Sequence, residues 1–185
     1  CSRDWSSDVC SSDQAIGIVN RMMQFCASAI IGFGQGFQPV CGFNYGAKRF
    51  DRVRQGFFFT LKVMLCATTV IGIAGTILAP RVIRLFSQDE AVIAFGALTL
   101  RLQCAVFPLT AIVFAGNMCM QTIGMAAPAS ILSTARNGLF FIPAVLILPP
   151  LLGALGVQIS QAAADLLSFV LAVPMTRSML KQLKG

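Results

Sequence analysis

The side chains best suited to chemistry in this sequence are one carboxylate and a set of amides within apolar stretches. Asp165 lies in the middle of the apolar stretch 154–175, whereas the other six acidic residues lie outside the apolar stretches. Desolvation disfavours the charged form of a buried carboxylate, so its protonation can respond to pH or to an arriving cation. Asp165 is therefore a candidate proton or cation relay. A structural ion pair with Arg136, or with another base in the apolar stretches, is the alternative.

Amide and hydroxyl side chains recur at helical spacing in three apolar stretches, which predicts one polar face on each of three helices. A single buried amide commonly does no more than bond a neighbouring helix, but three such faces together favour a shared polar cavity. We therefore predict that they line a cavity. The three sets are Asn20, Gln24, Ser28, Gln35 and Gln38; Gln103, Thr110, Asn117 and Gln121; and Gln158, Gln161, Asp165 and Ser168.

Other kinds of catalytic or metal site lack their usual residues. The sequence contains no histidine, which excludes a histidine-dependent triad and removes the commonest metal ligand. Its seven cysteines include no C-x-x-C pair, and five of them lie in apolar stretches. We interpret them as small hydrophobic residues. The sequence thus indicates neither an enzyme nor a metal site, and it gives no reason to expect a cofactor.

The composition defines the elements that must position the polar faces. Of 185 residues, 56% are apolar and 11% charged, with a mean hydropathy of +0.78. Soluble domains have about 45–50% apolar and about 25% charged residues, so a soluble enzyme and a disordered chain are excluded. A bilayer span takes roughly 20 residues, and lipid-exposed strands would leave backbone groups unpaired. We predict an all-α, polytopic membrane bundle of about five transmembrane helices.

Five apolar stretches are long enough to cross a bilayer, and they follow a short polar segment. Residues 1–13 are rich in Ser and Asp, and we interpret them as a non-native or junction segment. Residues 14–185 are expected to form one transmembrane bundle. Its spans are predicted at about 14–46, 57–79, 91–123, 131–152 and 154–175.

The basic residues predict the orientation of the bundle. The net charge of +7 comes from Lys and Arg beside the spans, which favours lipid headgroups as the partner over nucleic acid. Seven of them lie in the 47–56 loop and the C-terminal tail, against two in the second loop. The positive-inside rule then places the 47–56 loop and the C-terminus in the cytoplasm of a cell with a plasma or inner membrane. Within the spans, Arg101 and Arg136 are expected to extend towards the nearest interface.

Glycine and proline residues predict close packing and irregular backbone. The first span contains two G-x-x-x-G pairs, which allow partner helices to approach closely. Pro39 and Pro108 each remove a backbone donor within a span, so we predict kinks, unwound turns or hinges there. The glycines of the two pairs are Gly32, Gly36, Gly42 and Gly46.

Several sequence blocks resemble the multidrug and toxic compound extrusion (MATE) transporters. Residues 15–53 contain G-x-G-Q-G-x-Q-P followed by G-F-N-Y-G-A-K, and similar blocks include LFSQDEAVI and ARNGLFFIPAVLILPPLLGALGV. The resemblance covers residues 14–185 and implies helices 8–12, in the C-terminal lobe, of a twelve-helix, two-lobe transporter. It implies export of small organic, often cationic, drugs by alternating access in exchange for H⁺ or Na⁺. It also implies that a partner N-terminal lobe of the same protein is missing from this chain.

Two other functions stay open at this point. The first is a lipid-linked oligosaccharide flippase of the same superfamily, which the scarcity of bases within the spans disfavours. The second is a structural membrane subunit without transport activity, which would need no wet cavity.

Overall fold

The computed structural model describes residues 3–139, 141–152 and 154–183, and those residues are almost entirely helical. Side chains are described from Gln14 onwards, except at 91, 136–137, 149–152, 154–155 and 158. The predicted all-α membrane bundle is confirmed. The helices are α1 (Arg3–Gly46), α2 (Phe50–Arg84), α3 (Glu90–Thr122), α4 (Ala126–Thr134), α5 (Phe141–Leu152) and α6 (Ala154–Gln182), with a π-helical turn (Ala135–Leu139) after α4.

Four helices in the described part of the chain are long and apolar enough to cross a membrane, one fewer than predicted. The predicted span 131–152 is divided among α4, the π-helical turn and α5. A π turn shifts the backbone bonds to i→i+5, a change that hydrophobic periodicity does not reveal. The four spans are Gln14–Gly46, Phe50–Arg84, Val92–Thr122 and Ile159–Gln182.

Helix ends also differ from the predicted limits. Helix α1 already begins at Arg3, so residues 3–13 form the first part of this helix. Helix α2 begins at Phe50, seven residues before its predicted start at 57, and it includes the charged residues up to Arg54. Asp51 in its first turn complements the helix dipole. These charged residues are thus helical, whereas their polarity predicts a loop.

Helix α3 is central, because it packs against α1, α2, α4 and α6. The main core joins aromatic and sulfur-containing side chains from four helices: Phe37, Phe57, Phe107, Met120 and Met179. Lipid tails are as apolar as these side chains, so helix association here depends on close van der Waals packing. The other two helices with polar faces, α1 and α6, therefore both pack on α3.

The helices continue through their internal prolines. Helix α1 is unbroken at Pro39 and α3 is unbroken at Pro108, so the unwound turns predicted there are absent from these described segments. Pro80 in α2 cannot donate to the carbonyl of Thr76 four residues earlier. Arg101 of α3 supplies a substitute, because its Nε–H donates to that carbonyl in a long hydrogen bond of 3.4 Å.

This contact predicts an energetic coupling between Arg101 and Pro80. Arg101→Leu should destabilise the protein by about 1 kcal/mol, because it removes the donor that replaces the missing N–H of Pro80 at the Thr76 carbonyl. In a Pro80→Ala background the helix supplies its own N–H, so the same substitution should cost much less. Unfolding of the two single variants and the double variant in detergent measures the coupling. If Arg101→Leu lowers the free energy of unfolding equally in both backgrounds, the Arg101 side chain does not replace the missing N–H of Pro80.

Candidate functional site

A polar cavity of about 540 Å³ lies between α1, α3 and α6. It brings together residues from all three polar faces that the sequence predicted. The lining residues are Asn20, Met23, Gln24, Ala27 and Ile31 of α1; Gln103, Phe107 and Phe114 of α3; and Gln161 and Asp165 of α6. One charged side chain, Asp165, is present among these described lining residues.

Helical periodicity explains why these side chains share the cavity. Asn20 and Gln24 are four residues apart on α1, and Gln161 and Asp165 are four apart on α6, so each pair projects from one helix face. Asn20 and Gln24 are exposed, whereas Gln161 and Asp165 are half-buried. The α1 side of the cavity is thus the more open one, and the carboxylate lies on the more enclosed side.

The remaining walls of the cavity are apolar. Phe107 and Phe114 follow Gln103 on the same face of α3, and Met23 and Ile31 contribute from α1. Cavities for small molecules commonly combine apolar walls with a few polar groups that fix orientation. A carboxylate beside aromatic side chains suits a weakly hydrated organic cation, which gains from both the charge and the ring faces. Such a lining is chemically suited to reversible binding of a cation.

The C-terminal part of the α3 polar face has a different role. Asn117 donates from its Nδ2 to the Oγ of Ser133 at 2.9 Å, and Gln121 donates from its Nε2 to the Oδ1 of Asn117 at 3.3 Å. The first bond ties α3 to α4, and the second, within α3, orients the Asn117 amide. Gln121 and Ser133 also border a separate pocket of about 370 Å³. Asn117 and Gln121, both predicted to line the cavity, are thus in a helix-linking network outside it.

Other members of the predicted polar faces also lie outside the cavity lining. Gln35 is exposed and Gln38 half-buried, further along α1. The Thr110 hydroxyl donates to the Phe107 carbonyl at 2.7 Å, and the Ser28 hydroxyl donates to the Gln24 carbonyl at 2.8 Å. Both hydroxyls are therefore satisfied within their own helices. The side chain of Gln158 lies outside the described residues, as does that of Arg136.

One of the four glycines predicted to allow close packing, Gly42, lies at a tight helix contact within the described part of the chain. A Cβ added at Gly32, Gly36 or Gly46 would meet no atom within 4 Å in the described part of the chain. The close approach is at Gly34, where a Cβ would collide with Met118 and Met64. At Gly42 a Cβ would stand 3.2 Å from the Thr122 Cγ2, which is a tight contact with α3. The packed face of α1 thus passes through Gly34, two residues away from both Gly32 and Gly36.

Two aromatic residues of the cavity lining and two bases within the spans were not predicted from the sequence. Phe107 and Phe114 could have been found, because they lie four and eleven residues after Gln103 and so share its helix face. Arg21 and Lys62 are further basic residues within helices that are long and apolar enough to cross a membrane, and both are exposed. Arg21 borders a mainly apolar cleft of about 620 Å³ rather than the polar cavity.

The acidic and cysteine side chains are dispersed over the described part of the chain. Those residues contain no group of three or more Cys, Asp or Glu side chains placed to hold a metal ion. Asp165 is the single acidic residue that borders the polar cavity in the described part of the chain. A cation held there would be bound by one carboxylate together with amide oxygens.

Comparison with known sequences gives two matches. The family model described as MatE matches residues 14–147 of this chain. The multidrug export protein MepA of Staphylococcus haemolyticus (strain JCSC1435) is 26% identical over 161 residues, which cover 85% of this chain and 34% of that protein. The chain thus spans about a third of the length of that curated relative.

Solved structures are similar over most of the chain. An outward-facing multidrug resistance MATE family transporter of the MOP superfamily gives a TM-score of 0.85 at 18% identity, covering 96% of this chain and 42% of that one. The inward-facing conformation of such a transporter gives 0.81 at 19% identity, covering 90% and 39%. The MATE multidrug transporter DinF-BH is 33% identical with a TM-score of 0.71, covering 85% and 35%.

Proposed function

The chain belongs to the MatE family, whose members are membrane transporters and not enzymes, and from this premise we propose that it is part of a secondary multidrug efflux transporter. In this proposal residues 14–185 form helices of the C-terminal lobe, and an N-terminal lobe completes the transport path. The 47–56 loop and the C-terminus face the cytoplasm. The substrates are small organic cations, and H⁺ or Na⁺ is the coupling ion.

The observation that carries the proposal is the convergence of three polar helix faces on one cavity that contains Asp165. Deprotonated Asp165 attracts an organic cation, whose apolar part contacts the Phe107 and Phe114 side of the cavity. Protonation of Asp165, or arrival of Na⁺ beside it, removes that attraction and releases the drug. Binding from the inside and release to the outside then require the cavity to open alternately to each side.

The described lining of the cavity also bears on the flippase alternative. A flippase for an anionic lipid-linked substrate needs basic side chains where the phosphate groups pass. The described lining residues include amides and one carboxylate but no Lys or Arg, and Arg21 borders a different cleft. This lining supports a cationic rather than an anionic substrate.

Solvent accessibility tests whether the cavity is a wet transport path. Single cysteines are introduced at Gln24, Gln161 and Val170 in the complete transporter after its native cysteines are replaced. Val170 is the matched control, because it is exposed on the face of α6 opposite to Gln161. A charged thiol reagent should label Gln24→Cys and Gln161→Cys much faster than Val170→Cys. Equal, slow labelling at all three positions would instead favour a structural subunit.

A further inference from the structure

A second polar cavity, which the proposed transport path does not use, lies at the end of the bundle where α1 passes into α2. Its volume is about 800 Å³, and Leu183, directly after the end of α6, borders one side. Four bases and one acid border it, so its charge is strongly positive. The lining residues are Lys48, Arg49, Phe50, Asp51, Arg52, Arg54, Gln55 and Leu183. We refer to it as the basic pocket.

Lys48 occupies an unusual backbone position beside this pocket. Its φ is 58°, in the left-handed region where glycine is normally found. The Lys48 N–H donates to the Tyr45 carbonyl at 3.0 Å, and the Arg49 N–H donates to the Asn44 carbonyl at 2.9 Å. These two bonds form a Schellman cap, in which glycine is the usual residue at the position of Lys48. A lysine there carries a backbone cost, which gives reason to seek a use for its ammonium group.

The surroundings of the basic pocket are apolar and exposed. Phe58 and Phe59 follow on the next turn of α2 and are 38% and 66% exposed, and Phe43 near the end of α1 is 80% exposed. The Arg54 guanidinium lies 5.8 Å from the centroid of the Phe58 ring. Basic side chains concentrate beside the ends of membrane spans, where they reach the phosphate groups of lipids, and exposed Phe side chains suit contact with acyl chains. This combination suits the level of a bilayer at which phosphate groups and acyl chains meet.

We propose that the basic pocket binds the phosphate group of an anionic phospholipid, whose acyl chains lie along the exposed aromatic face of α2. The guanidinium groups of Arg49, Arg52 and Arg54 can donate paired hydrogen bonds to phosphate oxygens, and Lys48 adds a compact charge. A zwitterionic lipid carries its own cation beside the phosphate, so the bases attract it less. A free phosphate ester has no acyl chains and gains nothing from the aromatic face.

Binding of fluorescent lipids to the purified complete transporter tests this proposal. In neutral detergent, labelled phosphatidylglycerol should bind about tenfold more tightly than labelled phosphatidylcholine, a ratio set by the attraction between several bases and one net charge. Arg52→Gln combined with Arg54→Gln should remove most of that difference. Lys48→Gly should reduce the difference less. Glycine keeps the left-handed backbone at this position and removes the backbone strain that a lysine has there. Asp51→Asn should increase the difference.

The matched control removes two bases from the other end of the same helix. Arg81→Gln combined with Arg84→Gln makes the same change in net charge, so it should leave the phosphatidylglycerol preference intact. Equal loss in both double variants, or equal binding of the two lipids to the wild-type protein, would overturn the proposal. Competition by glycerol 3-phosphate as effective as that by phosphatidylglycerol would identify a soluble phosphate site and also contradict it. The readout is lipid binding, so failure of the transport proposal would not affect the result.

Discussion

Replacement of Asp165 by asparagine in the complete transporter should reduce ethidium efflux by about tenfold or more, since coupling free energies between binding sites are about 1–3 kcal/mol. Asparagine has almost the same shape as aspartate but carries no charge and cannot release a proton. The cavity would then lose both its attraction for an organic cation and its response to the coupling ion. Efflux from cells at equal expression, together with drug resistance, measures the effect.

Two controls separate coupling from a structural role of Asp165. Glu90→Gln makes the same charge change at an exposed position in the first turn of α3, so it should leave efflux unchanged. The thermal unfolding midpoint distinguishes the alternatives. If Asp165 is held in a structural ion pair, its substitution should lower that midpoint. We expect a large loss of efflux with little change in the midpoint. Unchanged ethidium export by Asp165→Asn would remove Asp165 from the mechanism.

Replacement of Gly72 by alanine should destabilise the bundle by about 1–3 kcal/mol, the usual cost of overpacking. A Cβ at Gly72 would stand 2.8 Å from the carbonyl oxygen of Cys104 and 3.8 Å from the Pro108 Cδ. Pro108 cannot donate to the Cys104 carbonyl four residues before it, and the side-chain-free backbone of Gly72 packs directly against that oxygen. Because a backbone atom cannot rotate away, α2 and α3 would have to separate. Unfolding in detergent measures the loss.

Other glycines of the bundle provide a graded comparison. At Gly75 a Cβ would meet the Cys104 Sγ, a side-chain atom that can rotate away, so Gly75→Ala should cost less than Gly72→Ala. Gly32→Ala meets no atom within 4 Å in the described chain and should be neutral, or stabilising by up to about 1 kcal/mol through helix propensity. If Gly72→Ala and Gly32→Ala have equal stability, the packing of α2 on α3 described above is wrong.

The polar cavity could be predicted in part from the sequence, because helical periodicity fixes which residues share a face. Asn20 with Gln24 and Gln161 with Asp165 are spaced so that each pair must project together. The sequence does not contain the position of one helix against another, however. Asn117 faces Ser133 of α4 rather than the cavity, and that outcome depends on where the chain returns after α3. Periodicity alone could not distinguish a polar residue that lines the cavity from one that bonds to α4.

The same limit explains the glycine and span predictions. The spacing of Gly32 and Gly36 permits close packing, but within the described part of the chain the other helices contact the neighbouring face, which contains Gly34. Similarly, the apolar character of 131–152 predicts one continuous span, whereas the π-helical turn at Ala135–Leu139 interrupts it. Both differences arise from local geometry and helix rotation, which hydrophobicity does not encode.

The most direct test of the transport proposal is whether a substrate occupies the cavity that α1, α3 and α6 enclose. Labelling of Gln161→Cys by a charged thiol reagent is followed with and without saturating ethidium, and Glu90→Cys, at an exposed position away from the cavity, is the control. We expect ethidium to slow labelling at Gln161→Cys severely and to leave the labelling rate at Glu90→Cys unchanged. An unchanged labelling rate at Gln161→Cys would contradict the transport proposal.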